Sequence, residues 1–367
     1  MSQLLCINTG GIGDLHGLRA RRLTKFLDAE CTYFDVDESI SRRHNAEAIR
    51  ELIHSADWDL IYQEGTGIAG GLNLIRSSLF RNQPYIVSSG DPIGEFFHVV
   101  KGPLYGFAFE QYEKLLYGQS AGFIGWTPYL AGMAMKMGAP RAVTVEGAVD
   151  MSIFSSYSSA ERAAAKKAYG LDSDHVVCGV VGSLKWTPRQ QYCYGLELVA
   201  MLPYLNRQDV SILIVGDGDG REHLQRRVPD VWRDRVVFTG RVPEDEVVRT
   251  LNAMDVGFIA QTLDKLGRYR LTTKLPEYLA SGLPVAMSPV PGFFDYAHAA
   301  GWALPPHHPA SEPFHRKCAA WIDRLSWSEI KERRQAAPSI ARTRFAYEIV
   351  RPRFEAFIKS LLESAEP

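Results

Sequence analysis

This 367-residue sequence shows no pattern of a disulfide framework, a signal peptide or a membrane span and carries little net charge, and each of these shapes what is expected of it. The five cysteines are odd in number and widely spaced, and Cys6 in LLCIN and Cys178 in VVCGVV lie inside apolar runs. That is the usage of a reducing compartment, not of a cross-linked secreted scaffold. No C-x-x-C pair or Cys/His cluster is present, so no metal is expected. The sequence opens at once on the strand-like QLLCIN, without the basic and apolar regions of a signal peptide, and no apolar run nears the roughly 20 residues of a membrane span. A cytoplasmic protein is expected. Net charge is only −1, which gives no field for nucleic acid. Residues 1–150 carry −4 and residues 151–367 carry +3, a sign that suits an anionic ligand on the second half.

What is there is a rhythm of short apolar runs between helical patterns. QLLCIN (3–8), CTYFDV (31–36), DLIYQ (59–63), YIVSS (85–89), GFIGW (122–126) and AVTVE (142–146) fill the first half; HVVCGVVG (175–182), VSILIVG (210–216), RVVFTG (235–240), DVGFIA (255–260) and LPVAMS (283–288) fill the second. Runs this apolar, this short and separated by helices imply parallel sheets covered on both faces, hence two doubly wound α/β domains. The Ser-rich, then Ala/Lys-rich stretch after Val145 reads as the linker. Ligands of open α/β sheets sit beyond the carboxyl ends of the strands, so two Rossmann-like sheets are expected to present their binding edges to one central cleft. The closing FAYEIVRPRFEAFIKSLL reads as an amphipathic helix interrupted by Pro352.

The Gly-rich turns do not spell a dinucleotide site. G-x-G-x-x-G matched from Gly11 meets His16 at its third glycine, and matched from Gly216 meets Arg221, which argues against a dehydrogenase. Such turns still offer backbone N–H groups to an anion or a polar sugar, although an ordinary tight turn reads the same. In VVGSLKWTPRQQYCYGLELV, Gly182-Ser183 is followed by Lys185 and Arg189 before a helix; two cations there are easier to explain with an anion between them. In QTLDKLGRYRLTTKLPEYLASGLPV, Lys265, Arg268, Arg270 and Lys274 face a single acid, Asp264. Thr272 and Thr273 offer an N-cap and free amides ahead of a helix. Glu277, one turn further in and flanked by Leu275, Tyr278 and Leu279, is placed to accept hydrogen bonds from ribose hydroxyls. In the first half, Asp91 follows the strand YIVSS, where an acid can orient or deprotonate a hydroxyl. His16, Glu64 and Arg270 are further candidates for acceptor or sugar contacts. Residues 96–126 hold nine aromatics, which read as packed helices, an acceptor platform or a membrane-contact surface.

Taken together, VEGAVDMSIF, VVGSL with its basic sequel, ILIVGDGDGREHL, VVFTGRVPEDEVVRTLNAMDVGFIA and TKLPEYLASGLPV resemble the retaining glycosyltransferases of the GT-B fold, family 4 (glycosyl transferases group 1), over nearly the whole chain. The resemblance implies an acceptor-side domain over 1–155, a nucleotide-sugar-binding domain over 170–343, and a C-terminal helix, 344–367, packing back on the first domain. It makes Glu277 the ribose ligand, with Thr272, Thr273 and Lys274 at the diphosphate beside Gly182, Ser183 and Gly216. Lys185 and Arg189 become the basic catalytic partners, and Arg241 and Val242 after Gly240 form the nucleobase loop. Gly11 becomes a first-domain contact near the diphosphate, and Asp91 the acid near the acceptor. Two departures stand out: Tyr269 replaces the first of the family's paired glutamates, and Gly90 stands where a His is often found.

The reaction so implied is retaining transfer of a hexose from a nucleotide diphosphate sugar, UDP favoured, to an acceptor hydroxyl in polysaccharide or glycoconjugate synthesis. It needs no metal and no other cofactor. The acceptor is a glycan, a lipid-linked sugar or a small molecule; a lipid-linked one implies peripheral contact with the inner membrane face. The alternatives are a non-catalytic sugar-nucleotide-binding or assembly subunit, and a sugar-nucleotide 2-epimerase of the same fold.

Overall fold

The computed structural model describes residues 1–11 and 13–365, except the side chain of Ala365. It resolves into two compact units. The first comprises residues 1–148 and 269–271 together with the chain from Tyr347 onward; the second comprises Val149–Arg268 and Thr272–Ala346.

The first unit is built on β1 (Ser2–Asn8), β2 (Ala29–Asp35), β3 (Leu60–Glu64), β4 (Tyr85–Ser89), β5 (Gly122–Gly125) and β6 (Ala142–Thr144). These strands pair in parallel in the order 2-1-3-4-5-6. Alternate residues serve opposite faces, as a pleated strand requires. Leu5, Ile7, Ile61, Tyr85, Val87 and Phe123 enter one core, whereas Leu4, Cys6, Leu60, Tyr62, Ile86 and Ile124 enter the other. The second core is closed by the C-terminal helix Tyr347–Ala365 through Tyr347, Val350, Phe354, Ile358 and Leu361. That helix is continuous through Pro352. The expected interruption does not occur, because Pro352 lies in the second turn, where the missing N–H costs one bond close to an end that is already short of partners.

The second unit is built on β7 (Val176–Val181), β8 (Val210–Val215), β9 (Val236–Gly240), β10 (Val256–Ile259), β11 (Val285–Met287) and β12 (Gly301–Ala303), all parallel, in the order 12-11-10-7-8-9. The sequence pattern contains no signal for β12, a three-residue Gly-Trp-Ala strand. The Ala/Lys-rich stretch read as linker is in part a helix, Ser159–Ala168, started by a capping box between Ser158 and Glu161. The direction in which successive strands are laid across the sheet reverses between β1 and β3 in the first sheet and between β7 and β10 in the second. Such a switch point leaves a crevice at the carboxyl edge of the strands.

Candidate functional site

At the carboxyl edge of the second sheet, β7, β8 and β9 run out through Gly182, Gly216 and Gly240. The three turns are stitched to one another: Gly182 N donates to Val215 O at 2.9 Å, Gly216 N to Gly240 O at 2.8 Å and Leu184 N to Asp217 O at 3.0 Å. Gly216 has φ +128°, and a Cβ there would collide with the carbonyl oxygen of Gly182. Glycine is required by both angle and space.

Helix Lys274–Ala280 covers this edge. Its Tyr278 hydroxyl accepts a hydrogen bond from Val181 N at 2.8 Å, which pins the helix to the end of β7. Leu275, Tyr278 and Leu279 are buried, so the flanks of Glu277 face the core. Lys274 is buried too, its ammonium 2.9 Å from the centroid of the Tyr194 ring. A Cβ on Gly182 would lie 2.9 Å from the Lys274 Nζ, so the cation rests on the Gly182 turn. Glu277 is half-buried. Burial pushes its carboxyl up to about 7, with Lys274 opposing and Glu244 reinforcing the shift. Among the described residues none donates a hydrogen bond to that carboxyl. A buried cation and a carboxylate that accepts no hydrogen bond thus stand side by side at the switch point of the sheet.

Other predicted residues fall differently. Thr273 makes no capping bond; Thr272 Oγ1 accepts from Lys274 N at 3.4 Å instead. The helix starts only at Lys274, so the two threonines form the turn before it. Lys185 and Arg189 do not flank a helix N-terminus: that helix begins at Leu196, and Arg189 lies in a turn closed by the Thr187–Tyr192 bridge. Ser183, Lys185, Arg189 and Arg241 are exposed and Val242 is half-buried.

In the first unit Asp91 follows β4 and is paired with Arg270, Nε to Oδ1 at 2.9 Å and a second guanidinium nitrogen to Oδ2 at 3.3 Å. The two predicted residues are therefore each other's partner. A Cβ on Gly10 would strike the Asp14 carboxylate, whereas one on Gly11 would make ordinary contact with Glu38 at 3.7 Å; the steric demand for glycine falls one residue before the predicted one. Glu64, at the end of β3, is fully buried. It accepts hydrogen bonds from Ser88 Oγ at 2.9 Å, Trp126 Nε1 at 3.3 Å and the Tyr62 hydroxyl. Arg19 Nε is 3.4 Å away and His16 Nδ1 3.9 Å. Burial pushes the Glu64 carboxyl up, but Arg19, His16 and the Tyr62 bond outweigh it and hold it below the ordinary value.

The aromatic segment divides. Phe97 and Phe109 stack at 3.7 Å, and Tyr117 packs on Phe123 at 4.6 Å. Leu104, Tyr105 and Phe107 stay exposed on helix Pro103–Gly118. Sequence reading did not single out Glu197, Tyr194 or Arg19. Glu197 had a visible signal, a lone acid in the apolar run LELVAM: it is fully buried, accepts from the Tyr192 hydroxyl at 2.9 Å, and is pushed up by burial.

Residues 175–322, the part that carries the Gly turns and the Glu277 helix, match the family model described as Glycosyl transferases group 1. A 2-deoxystreptamine glucosyltransferase of Streptomyces kanamyceticus is 32% identical over 132 residues, 35% of this chain and 32% of that protein. The chain thus spans about a third of the length of the curated relatives it matches. Among solved structures, Anabaena Alr3699/HepE in complex with UDP and glucose superposes with a TM-score of 0.75 at 15% identity, covering 98% of this chain and 100% of that one. The sucrose-phosphate synthase of Thermosynechococcus elongatus also reaches 0.75, at 14% identity, covering 99% and 100%. The fold is α/β with two Rossmann-like doubly wound parallel sheets, the GT-B architecture of these glycosyltransferases.

Proposed function

We propose that this protein is a metal-independent, retaining glycosyltransferase of family 4 that moves a hexose from a UDP-sugar to an acceptor hydroxyl. The observation that carries the reading is the pairing of Glu277 and Lys274 at the β7/β10 switch point. A carboxylate with no donor of its own suits the vicinal hydroxyls of a ribose. An ammonium held over the Gly182 turn suits the diphosphate, and stabilises it further as the glycosidic bond breaks and charge builds on the leaving group. The match over residues 175–322 supports transfer, and the UDP and glucose bound by Alr3699/HepE support the donor. The glucosyltransferase acting on 2-deoxystreptamine supports a small polyhydroxylated acceptor or a related glycoconjugate.

The deciding experiment is a thermal-shift panel of UDP, GDP, ADP, TDP and their glucose conjugates, with and without EDTA, followed by an assay of UDP-glucose turnover. UDP and UDP-glucose are expected to raise the midpoint equally with and without EDTA. No shift by any nucleotide would remove the reading. A second reading, a sugar-nucleotide-binding subunit without turnover, is favoured by Tyr269 in place of the family's first glutamate; binding without any consumption of UDP-glucose would select it.

The exposed Leu104, Tyr105 and Phe107, with Leu115 on the same helix, support peripheral contact with a lipid surface. No helix among the described residues is long and apolar enough to cross a membrane. Sedimentation with zwitterionic vesicles, which do not repel the acidic first half, is expected to carry the protein down and to lose it in a Leu104→Ser/Phe107→Ser variant. Equal sedimentation of the two would exclude this face.

A further inference from the structure

Lys274 is held in a way that its place in the fold does not require. It is the first residue of helix Lys274–Ala280, at the carboxyl edge of the second sheet, and a lysine stem is long enough to carry its ammonium from such a place out to water. The residue is instead only 9% exposed, with Nζ 2.9 Å from the centroid of the Tyr194 ring. On its other side lies the turn at the end of β7. A Cβ at residue 182 would meet Lys274 Cε at 2.8 Å, Nζ at 2.9 Å and the Tyr194 ring at 3.3 Å. Ring, cation and turn are thus in mutual contact.

The ring has a support of its own. Tyr192 and Tyr194 flank the buried Cys193 ahead of helix Leu196–Met201 and meet edge to face, with centroids 6.2 Å apart. Behind them the Tyr192 hydroxyl donates to Glu197 Oε2 at 2.9 Å, and Thr187 N donates to Tyr192 O, also at 2.9 Å. Burial and Glu197 push the Tyr192 phenol well up, so it keeps its proton and remains the donor. Packing alone does not call for this tier. A leucine or methionine at position 274 would fill the gap between ring and turn without the cost of burying a charge. What a ring face does offer is attraction for an ammonium through its quadrupole, with no negative charge added to compete with an anionic ligand.

We propose that Tyr194 is the positioning residue of the diphosphate site: its ring face holds the Lys274 ammonium over the Gly182 turn, and Tyr192 and Glu197 hold the ring. This deepens the glycosyltransferase reading and rests on it for the identity of the diphosphate. Tyr194 itself touches no substrate; it fixes where the cation stands before the ligand arrives, so that little ordering is left to do on binding.

The test is calorimetric titration of the full chain with UDP, uridine and inorganic pyrophosphate. Tyr194→Leu is expected to weaken UDP and pyrophosphate about tenfold and to leave uridine unchanged, since uridine has no phosphate for Lys274 to meet. Tyr194→Phe keeps the ring face and restores the wild-type affinities. In a Lys274→Met background Tyr194→Leu has no further effect on UDP. A tyrosine that served packing alone would lower UDP and uridine affinity together, in both backgrounds. Tyr194→Met carries the test if the leucine variant does not fold. UDP bound by Tyr194→Leu as tightly as by wild type, or a loss that persists beside Lys274→Met, overturns the proposal. Pyrophosphate bound through Lys274 and Tyr194 by a chain that ignores UDP and uridine would sink the transferase and keep the anion site; a chain that binds none of the three overturns both.

Discussion

Replacing Glu277 with alanine is expected to weaken UDP binding about 100-fold, because two hydrogen bonds from ribose hydroxyls to a charged acceptor contribute about 1.5–3 kcal/mol each, partly regained from water. Calorimetric titration of wild type and variant at pH ~8, where a group titrating near 7 is ionised, measures it directly. An unchanged affinity would place the ribose elsewhere. The wild-type affinity should also fall as pH drops through about 7, as the carboxylate takes up a proton and becomes a weaker acceptor. Stability runs the other way. The folded protein holds this proton more tightly than the unfolded chain, whose value is near 4.5. The stabilising contribution is therefore fully present below about 4.5 and is lost as pH rises to about 7. Glu277→Gln should then melt higher than wild type above neutral pH, by an amount on the order of 1–3 kcal/mol after allowing for the part of the side chain that solvent reaches. A variant that binds UDP less and melts higher is the mark of a residue kept for function.

Asp255→Ala is expected to be the most destabilising single change in the second unit. Asp255 takes Lys166 on Oδ2 at 2.7 Å and Arg334 on Oδ1 at 3.2 Å, and accepts from Val177 N at 2.9 Å. All three side chains are buried. They join helix Ser159–Ala168 and helix Trp327–Ile340 to the starts of β7 and β10. Removing the acid leaves two uncompensated cations in the interior, a loss of about 3–5 kcal/mol. Burial already presses the Arg334 guanidinium down to about 10 against the pull of Asp255. Urea unfolding should show the loss as a lower midpoint with unchanged slope. A loss below about 1 kcal/mol would mean that water reaches the triad.

Much of this architecture was legible because its signals are local. Strands packed between layers of helices are apolar at most positions, so eleven of the twelve appear as short, mostly apolar runs. The exception, β12, is too short to carry a pattern. The Gly-Leu-Pro entry to β11 and the Glu277 helix could be read because helix propensity and turn chemistry belong to adjacent residues. The surroundings of the basic residues were not legible from local pattern. Lys185 and Arg189 read as anion ligands before a helix, but the turn at 187–192 intervenes. Lys274 read as one cation among four, and it alone among them is both buried and set on the Gly182 turn. Arg270 and Asp91 read as separate candidates and are one ion pair.

The sequence by itself determined which segments become strands, that both sheets are parallel, and that Gly182 and Gly216 end strands while Glu277 lies on a helix, since each follows from the chemistry of neighbours in the chain. Only the tertiary structure decided which charges meet. Glu64 lies 48 residues from His16 in the sequence, and Asp255 lies 79 from Arg334. The free energy of a buried charge depends on partners a few ångströms away in space, whatever their distance along the chain. The order of strands in a sheet brings those partners together, and no local pattern encodes it.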